Sequence, residues 1–331
     1  MKKLACLLLS LVFSMSGSLA RAETTLNAET VKKMVVFLFP AFPDGTVDKE
    51  HPLGTGFLIA IPFKGAPQTR DANGEVNGKG ALLLITARHI VDPNWANCAM
   101  PQPRRIYARI DTTNYDPKKG ASGVDFEPVD LVELGQKKYL VRDDDDNVDA
   151  AVIDVTGKFS QAKYAFTPMT LAFFATAEEA KKLRVGDSIA SAGLIPKRSG
   201  ENRNFPFFKF GNISNIPDEP IWVGCPEDGK LKSELRLERV WFIAVNLIGG
   251  NSGSPVFYYP PSVCMLGFLQ CNSNIVGRVM VVGVQSSSFD GADVAGMTPI
   301  EDVFKIIQDH ASPDFDLYRG NGINKPDATK P

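Results

Sequence analysis

One segment of the chain, Gly249–Pro255, has the composition of a turn that exposes a catalytic hydroxyl. Glycines on both sides of Asn251 and Ser252 let the backbone turn tightly around the serine. The same turn can direct the N–H groups of Gly250 and Ser252 at one point, as an oxyanion hole requires. Because clusters of Gly, Ser and Asn also form ordinary turns, the segment needs a base and an acid elsewhere in the chain to indicate a nucleophile.

The candidate base is His89, which lies four residues after the end of the apolar run Leu82–Ile85. It is one of three histidines, the others being His51 in a polar segment and His310 near the C-terminus. An imidazole titrates near neutral pH and can accept the proton of a serine hydroxyl. A single histidine at the end of a strand is also a common structural residue, so this assignment depends on its partners.

The candidate acid is Asp149, at the start of the apolar run Ala150–Ile153. A carboxylate carried inward by a buried strand must find a donor, and a histidine N–H is a suitable one. The acidic run Asp143–Asp146 beside it also fits a solvated turn. That run lacks the glycine and the distal glutamate of a calcium loop, so no calcium site is predicted.

The three candidates occur in the order His89, Asp149, Ser252. This order is that of the chymotrypsin arrangement, whereas α/β-hydrolases run from serine to acid to histidine. An esterase of the α/β-hydrolase type would need Ser252 with Asp302 and His310. It is disfavoured because position 254 is serine instead of the second glycine of a nucleophile elbow, and because alternating helices are not predicted.

Short apolar runs bounded by turn residues predict an all-β barrel or sandwich around these residues. The predicted strands are Met34–Phe39, Gly56–Ile61, Ala81–Thr86, Ile106–Ile110, Val148–Val155, Ser188–Leu194, Val240–Val245 and Val279–Val284. Helices are predicted over Ala175–Leu183, where Thr176 and Glu179 form a capping-box pattern, and from Pro299 to about His310. The long polar insertions between strands are Lys64–Lys79, Asp92–Arg104, Asp111–Pro128, Pro217–Lys232 and Tyr258–Gly277.

Four segments resemble, in order, the signatures of trypsin-like serine proteases. They are Gly54–Leu58, Thr86–His89, Asp149–Val152 and Gly250–Pro255. The chain is most similar to the bacterial branch that includes the glutamyl endopeptidases and the protease domain of the high-temperature-requirement proteins. The resemblance spans about Val35 to Ile307.

The resemblance implies a chymotrypsin-like fold: two six-stranded antiparallel β-barrels, roughly residues 34–160 and 161–300, then a C-terminal helix. It implies Ser252 as nucleophile, His89 as general acid and base, and Asp149 as the group that orients the imidazole. The amides of Gly250 and Ser252 would hold the oxyanion of an acyl transfer to water. A protease-like binding module that has lost turnover is the alternative.

The chain departs from the family around the substrate pocket. Asn251 stands where digestive members carry an aspartate, so an ion pair with a newly cut N-terminus is not expected. Gln285 stands where relatives that cut after glutamate carry a histidine. The expected pocket residues are Asn246, Gln285, Ser286, Ser287 and Ser288. Because all are neutral, the sequence predicts an uncharged, small to medium P1 residue.

Residues 1–22 are predicted to be a secretory signal peptide, ahead of a protease domain over 23–312. Lys2 and Lys3 precede an apolar run from Leu4 to about Phe13, and a small-residue cleavage site ends at Ala22. Its removal takes away three positive charges and no negative one, which moves the formal net charge from −2 to −5. The mature chain is expected to be secreted or periplasmic, with no membrane span, and its tail over residues 313–331 to be disordered.

Four cysteines remain after Cys6 leaves with the signal: Cys98, Cys225, Cys264 and Cys271. An even number in an exported chain permits disulfides, and three pairings are open. Cys264 with Cys271 is the easiest pair to close, which leaves Cys98 with Cys225; free buried thiols are the alternative.

No cofactor or metal is expected, since the cysteines lack zinc-site spacing and no histidine lies near them. The sequence contains no basic cluster of the kind that would indicate nucleic-acid binding. Protein or peptide substrates are the expected partners, and the sequence does not indicate an oligomeric state.

Overall fold

The computed structural model describes residues 28–65, 69–70, 76–77, 80–96, 102–116, 118, 123–142, 146–198, 200–223, 236–245, 250–260, 278–289 and 294–317. The signal peptide predicted over residues 1–22 and the four cysteines predicted to pair lie outside these residues. Among the described residues, no helix has the length and apolar character needed to cross a membrane.

The first half of the chain forms an eight-stranded sheet in the order β10-β11-β5-β2-β1-β6-β7, with β12 paired to β2. Its strands are β1 (Val35–Pro40), β2 (Gly54–Pro62), β5 (Gly80–Thr86), β6 (Arg105–Asp111), β7 (Val124–Asp130), β10 (Tyr139–Leu140), β11 (Ala151–Asp154) and β12 (Met169–Thr170). β1 pairs with the first half of β2, and β12 pairs in parallel with the second half.

The second half forms a closed six-stranded barrel in the order β13-β14-β17-β20-β19-β18. Its strands are β13 (Ser188–Gly193), β14 (Phe207–Asn215), β17 (Trp241–Ala244), β18 (Pro255–Tyr258), β19 (Met280–Phe289) and β20 (Val294–Pro299). Three two-stranded pairs lie outside both sheets: β3 (Thr69–Arg70) with β4 (Val76–Asn77), β8 (Val132–Glu133) with β9 (Gln136–Lys137), and β15 (Ile221–Val223) with β16 (Arg236–Glu238).

The helices are short except for the last. In the described residues they are α1 (Ala28–Met34), α2 (Arg88–Val91), α3 (Ala177–Ala180) and α4 (Ile300–His310), with a 3₁₀ turn at Leu171–Phe173. The capping box predicted for Thr176 and Glu179 is present at the start of α3. Helix α4 buries its apolar face, and its buried Asp302 accepts hydrogen bonds from Arg142 at 2.8 Å and Arg239 at 2.6 Å.

Strand β1 explains why the predicted strands read as continuous apolar runs. Successive side chains of a strand point to opposite faces. Val35 and Phe37 belong to the apolar cluster that extends into the second barrel, whereas Val36 and Leu38 belong to a separate cluster inside the first sheet. Both faces are therefore buried, and no polar alternation is needed.

The all-β fold class with a C-terminal helix is confirmed by the strand pairing, and the second barrel closes with six strands as expected. The first barrel differs from the expected six-stranded form. It is a curled sheet of eight strands, because the two-residue strands β10 and β12 extend it and because β10 and β7 end the path without pairing to each other.

Three local expectations are corrected. The predicted insertion Asp111–Pro128 contains most of β7, and Pro217–Lys232 contains β15. The tail predicted to be disordered from Pro313 is held against β2 as far as residue 317. There the Asp316 N–H donates to the Pro62 carbonyl oxygen at 2.8 Å, and the ring of Phe315 lies 5.7 Å from that of Phe63.

Candidate active site

The ends of two paired strands bring His89 and Asp149 together. Ala151 of β11 lies opposite Thr86 of β5, so the residues just after β5 and just before β11 are neighbours. The Asp149 Oδ2 atom lies 2.7 Å from Nδ1 of His89, and Oδ1 accepts the backbone N–H of His89 at 2.9 Å. Asp149 is 1 % exposed, and its carboxylate is held at the Nδ1 edge of the imidazole. The strand predicted over Val148–Val155 is shorter in the structure, because β11 begins only at Ala151 and leaves Val148–Ala150 outside it.

Burial and charge act in opposite directions on this pair. Burial disfavours the charged imidazolium of His89, but the negative charge of Asp149 and its hydrogen bond outweigh that effect and raise the pKa of His89. Burial would raise the pKa of Asp149, yet the charge of His89 and the two hydrogen bonds from it lower the pKa below its usual range. The arrangement therefore favours an imidazolium beside a carboxylate, the state that follows proton uptake by His89.

The second barrel also holds the loop that carries Asp149. The Thr298 hydroxyl of β20 donates to the Asp149 carbonyl oxygen at 3.0 Å. The backbone N–H of Arg239 donates to the carbonyl oxygen of Asn147 at 2.7 Å. The position of the acid thus depends on contacts between the first sheet and the second barrel.

Ser252 lies in a turn immediately before β18, and the first sheet holds that turn through Thr55 of β2. The Thr55 N–H donates to the Ser252 carbonyl oxygen at 2.8 Å, and the Thr55 hydroxyl donates to the Gly250 carbonyl oxygen at 2.8 Å. The Gly253 N–H donates to the Gln285 carbonyl oxygen of β19 at 2.7 Å. Hydrogen bonds to β2 and β19 therefore hold the turn in place.

Gly253 is required by both its backbone angle and its surroundings. Its φ is +86°, and an added methyl group would overlap the Thr55 carbonyl oxygen and the Thr86 hydroxyl. Gly157 has a similar φ of +76° but nothing within 4 Å of the added atom. Alanine at Gly157 would therefore introduce backbone strain alone, whereas alanine at Gly253 would add steric overlap to the same strain.

We expect Gly253→Ala to lower the free energy of unfolding by about 3 kcal/mol or more, from the left-handed backbone and the overlap together. Gly157→Ala is expected to cost about 1 kcal/mol, from the backbone alone. Chemical denaturation of both variants measures the difference. Equal losses in the two variants would contradict the tight packing of the Ser252 turn.

The turn of Ser252 and the helix of His89 approach each other across Gly54. A methyl group built on Gly54 would lie 2.5 Å from Cδ1 of Ile90 and 2.7 Å from the Ser252 carbonyl oxygen. Ile90 follows His89 directly in α2. The absence of a side chain at Gly54 therefore lets the loop of the base and the turn of the hydroxyl pack at the same point of β2.

The hydroxyl of Ser252 donates to the carbonyl oxygen of Ser286 at 3.2 Å. Within the described part of the chain it makes no hydrogen bond to His89. The N–H groups of Gly250 and Ser252 have no acceptor among those same residues. Gly250 has a φ of +95°, a backbone conformation that glycine adopts readily.

Strand β19 carries the predicted pocket residues that the structure describes. The Gln285 side chain is 1 % exposed, and its Oε1 atom accepts the hydroxyl of Ser191 at 2.8 Å. Ser286 is buried and Ser287 is half-buried, while Ser288 belongs to the same strand. Asn246 lies outside the described residues.

The alternative grouping of Ser252 with Asp302 and His310 is not formed. Asp302 is bound by two arginines, and Nε2 of His310 lies 3.0 Å from the Val141 carbonyl oxygen. The contacts of Arg142 and Val141 hold helix α4 against the region between β10 and β11, and that of Arg239 holds it against the segment between β16 and β17.

Sequence reasoning missed the residues that support the site from a distance. The role of Thr55 was not predicted, although a hydroxyl between two glycines indicates a close backbone approach. Glu238 and Arg236 gave no signal, because the alternation of apolar and charged residues over 235–238 is typical of an ordinary half-exposed strand.

Solved structures that are similar to this chain include trypsin-like serine protease domains. The MamO protease domain from Magnetospirillum magneticum (apo form) is 13% identical with a TM-score of 0.43, over 83% of this chain and 96% of that one. The active form of the Rv3671c protease from M. tuberculosis is 16% identical with a TM-score of 0.40, over 85% and 82%. The inactive form of the Rv3671c protease is 14% identical with a TM-score of 0.40, over 86% and 92%. No protein-family model and no curated protein sequence matches the chain.

Proposed function

We propose that this chain is an exported serine endopeptidase that hydrolyses peptide bonds through His89, Asp149 and Ser252. The observation that carries the proposal is the doubly hydrogen-bonded pair of His89 and Asp149, packed across Gly54 from the Ser252 turn. A buried carboxylate bound to Nδ1 leaves Nε2 of the imidazole as the nitrogen available to a substrate or to a hydroxyl.

In the proposed reaction the Ser252 hydroxyl turns from the Ser286 carbonyl oxygen to Nε2 of His89. It then loses its proton to His89 while its oxygen attacks the substrate carbonyl carbon. The unoccupied amides of Gly250 and Ser252 would stabilise the oxyanion, and His89 would return the proton to the leaving amine. Hydrolysis of the acyl-enzyme repeats the sequence with water as the nucleophile.

Labelling with a fluorophosphonate probe tests this proposal directly. We expect the wild-type protein to gain the phosphonyl mass on the peptide that contains Ser252. Ser252→Ala should remain unlabelled, whereas Ser160→Ala, an exposed turn serine, should label like the wild type. A folded wild type that stays unlabelled, or labelling that survives in Ser252→Ala, would overturn the proposal.

The second candidate function is a protease-like binding module without turnover. The hydrogen bond from Ser252 to Ser286 favours it, because the hydroxyl is engaged with a backbone oxygen instead of with His89. Hydrogen bonds between catalytic groups are often long or absent until substrate binds, so the two candidates share this geometry. The absence of labelling in a folded wild type would support the binding module.

For substrate selection we propose an uncharged P1 residue of small to medium size. Gln285, Ser286, Ser287 and Ser288 supply neutral groups along β19, and the amide oxygen of Gln285 is occupied by Ser191. Digestion of a peptide library measures this preference. Dominant cleavage after glutamate would contradict it and would direct attention to Lys209, which pairs with Ser191 across β13 and β14.

We also propose that the mature chain is secreted or periplasmic, on the strength of the N-terminal segment over residues 1–22. The pairings of Cys264 with Cys271 and of Cys98 with Cys225 stay predictions for that compartment.

A further inference from the structure

A second acidic side chain, Glu238, is buried on the strand that packs beside the candidate site. In β16 the side chains of Arg236 and Glu238 point to the same face, because side chains alternate along a strand. The intervening Leu237 lies opposite Trp222 of β15 and is exposed with it. Glu238 is 1 % exposed and forms an ion pair with Arg236. The β15–β16 pair therefore turns a charged face towards the body of the protein.

One end of this charged face rests on the loop that follows His89. The guanidinium carbon of Arg236 lies 3.5 Å from the centre of the Trp95 ring, and that of Arg88 lies 4.4 Å from the same ring. Arg88 is the residue before His89. The indole N–H of Trp95 donates to the carbonyl oxygen of Asp146 at 3.0 Å, which continues the contact towards the loop of Asp149.

The other end rests on the loop of Asp149 itself. The residue after Glu238, Arg239, donates its backbone N–H to the Asn147 carbonyl oxygen at 2.7 Å. Arg239 also binds Asp302 of α4 through its guanidinium. Glu238 is thus held between an anchor on the His89 side and an anchor on the Asp149 side, which leaves the strand little freedom to carry the carboxyl away.

The hydrogen bonding of Glu238 is incomplete. Its Oε2 atom is buried without a hydrogen-bond partner in the described part of the chain, and the same holds for Nε and Nη1 of Arg236. A pair of charges buried with unfilled hydrogen bonds contributes little to stability, and often less than apolar side chains of the same size would. A contribution to stability alone therefore does not explain why Arg236 and Glu238 are buried together.

The charge of Glu238 is coupled to the candidate catalytic pair. Burial first, and the negative charge of Asp149 second, raise the pKa of Glu238 to about 7, while Arg236 and His89 act in the opposite direction. In turn, the charge of Glu238 adds to that of Asp149 in raising the pKa of His89, and the charge of Arg236 lowers it. Glu238, Asp149 and His89 therefore titrate as one group of interacting charges.

We propose that Glu238 is a positioning residue of the candidate active site, which, held by Arg236, acts on His89 and Asp149 through its charge. This inference rests on the proposed function, because Glu238 affects catalysis only if His89 accepts the proton of Ser252. The β15–β16 pair lies in the chain between β14 and β17 of the second barrel, and it would thus act on the charge of a histidine that follows β5 of the first sheet. The carboxylate favours the imidazolium that forms when His89 accepts the serine proton.

The test is the titration of His89 in the full mature chain, followed by NMR of its ring nitrogens. Only three histidines are present, so His51→Gln and His310→Gln assign the signals. In Glu238→Gln we expect the midpoint of His89 to move to lower pH. In the control Glu133→Gln, which removes an exposed carboxylate paired with Lys138, it should stay at the wild-type value.

The Gln variant is expected to fold, because protonated Glu238, which glutamine resembles in shape and charge, is already populated near neutral pH. If it does not fold, the carboxyl carbon of Glu238 is followed in the wild type. A titration of that carbon near pH 7, accompanied by an inflection in the His89 signal, supports the inference. A titration at the ordinary value for glutamate overturns it.

Fluorophosphonate labelling as a function of pH separates this inference from the proposed function. If both hold, the midpoint of the labelling rate in Glu238→Gln moves to lower pH together with the His89 titration. Labelling with an unchanged midpoint overturns the role of Glu238 and leaves the peptidase standing. A shifted His89 titration in a protein that never labels supports the role of Glu238 and rejects the peptidase.

Discussion

Replacing Ser252 with alanine is expected to lower kcat/KM for peptide hydrolysis by about 10⁶-fold. The loss is large because the hydroxyl oxygen is the atom that forms the acyl-enzyme, and no other side chain replaces it. The hydrogen bonds from Thr55 and from the Gly253 N–H hold the turn without the Ser252 hydroxyl, so the turn itself should survive the substitution.

The measurement is the initial rate on a peptide that the wild type cleaves, with Ser160→Ala as the control for a serine outside the site. Circular dichroism and the free energy of unfolding confirm that both variants fold. A rate within about tenfold of the wild type in Ser252→Ala would assign the nucleophile elsewhere. Because the residues act as a unit, adding Asp149→Asn to Ser252→Ala should cause little further loss.

Asp149→Asn is expected to lower kcat by about 10⁴-fold while preserving the fold of the site. Asparagine offers an N–H to Nδ1 of His89, where the carboxylate accepts one. The imidazole would then carry its proton on the nitrogen that has to receive the serine proton. The backbone N–H of His89 still finds an oxygen in asparagine, which keeps the loop in place.

Two pH effects accompany this substitution. Asp149 raises the pKa of His89, so its loss should move the residual activity profile to lower pH. The pKa of Asp149 is lowered by folding, so the carboxylate stabilises the folded state above its unfolded pKa. That contribution is lost as the pH falls through the folded pKa, and Asp149→Asn should be less sensitive to acid in this range.

The control for both effects is Asp154→Asn, on the exposed end of the same strand. Its carboxylate accepts only the nearby N–H of Thr156, and an asparagine oxygen can take over that bond. We expect wild-type kcat and an unchanged pH profile in this variant. An equal loss in both variants would mean that Asp149 acts only through the stability of β11.

Much of the fold followed from the sequence, because strands buried on both faces leave an unmistakable apolar run. The runs around Phe37, Ile59 and Ile85 predicted β1, β2 and β5 to within about two residues. Strand β14 was not predicted, since its Phe, Lys, Gly and Asn residues form no continuous apolar run and Ile213 is its one buried residue. The short strands β10 and β12 were missed because two residues of a strand carry no periodicity.

The candidate site likewise has features that the sequence predicted and features that it did not. The types and order of His89, Asp149 and Ser252 could be read from the sequence, since the proposed chemistry requires an imidazole, a carboxylate and a hydroxyl. The sequence also supplied the glycines at 54 and 253, whose missing side chains allow the close approach. Asn246, the expected floor of the pocket, stays a prediction.

The tertiary structure alone decided which charged groups surround His89 and Asp149. Glu238 is about 90 residues from Asp149 and more from His89, and only the pairing of β15 with β16 and the contact of Arg236 with Trp95 bring its carboxyl near them. The partner of the Ser252 hydroxyl was likewise fixed by the approach of β19. Local sequence specifies residue types and strand periods, but distances between distant segments follow from how two sheets pack, and electrostatic effects depend on those distances.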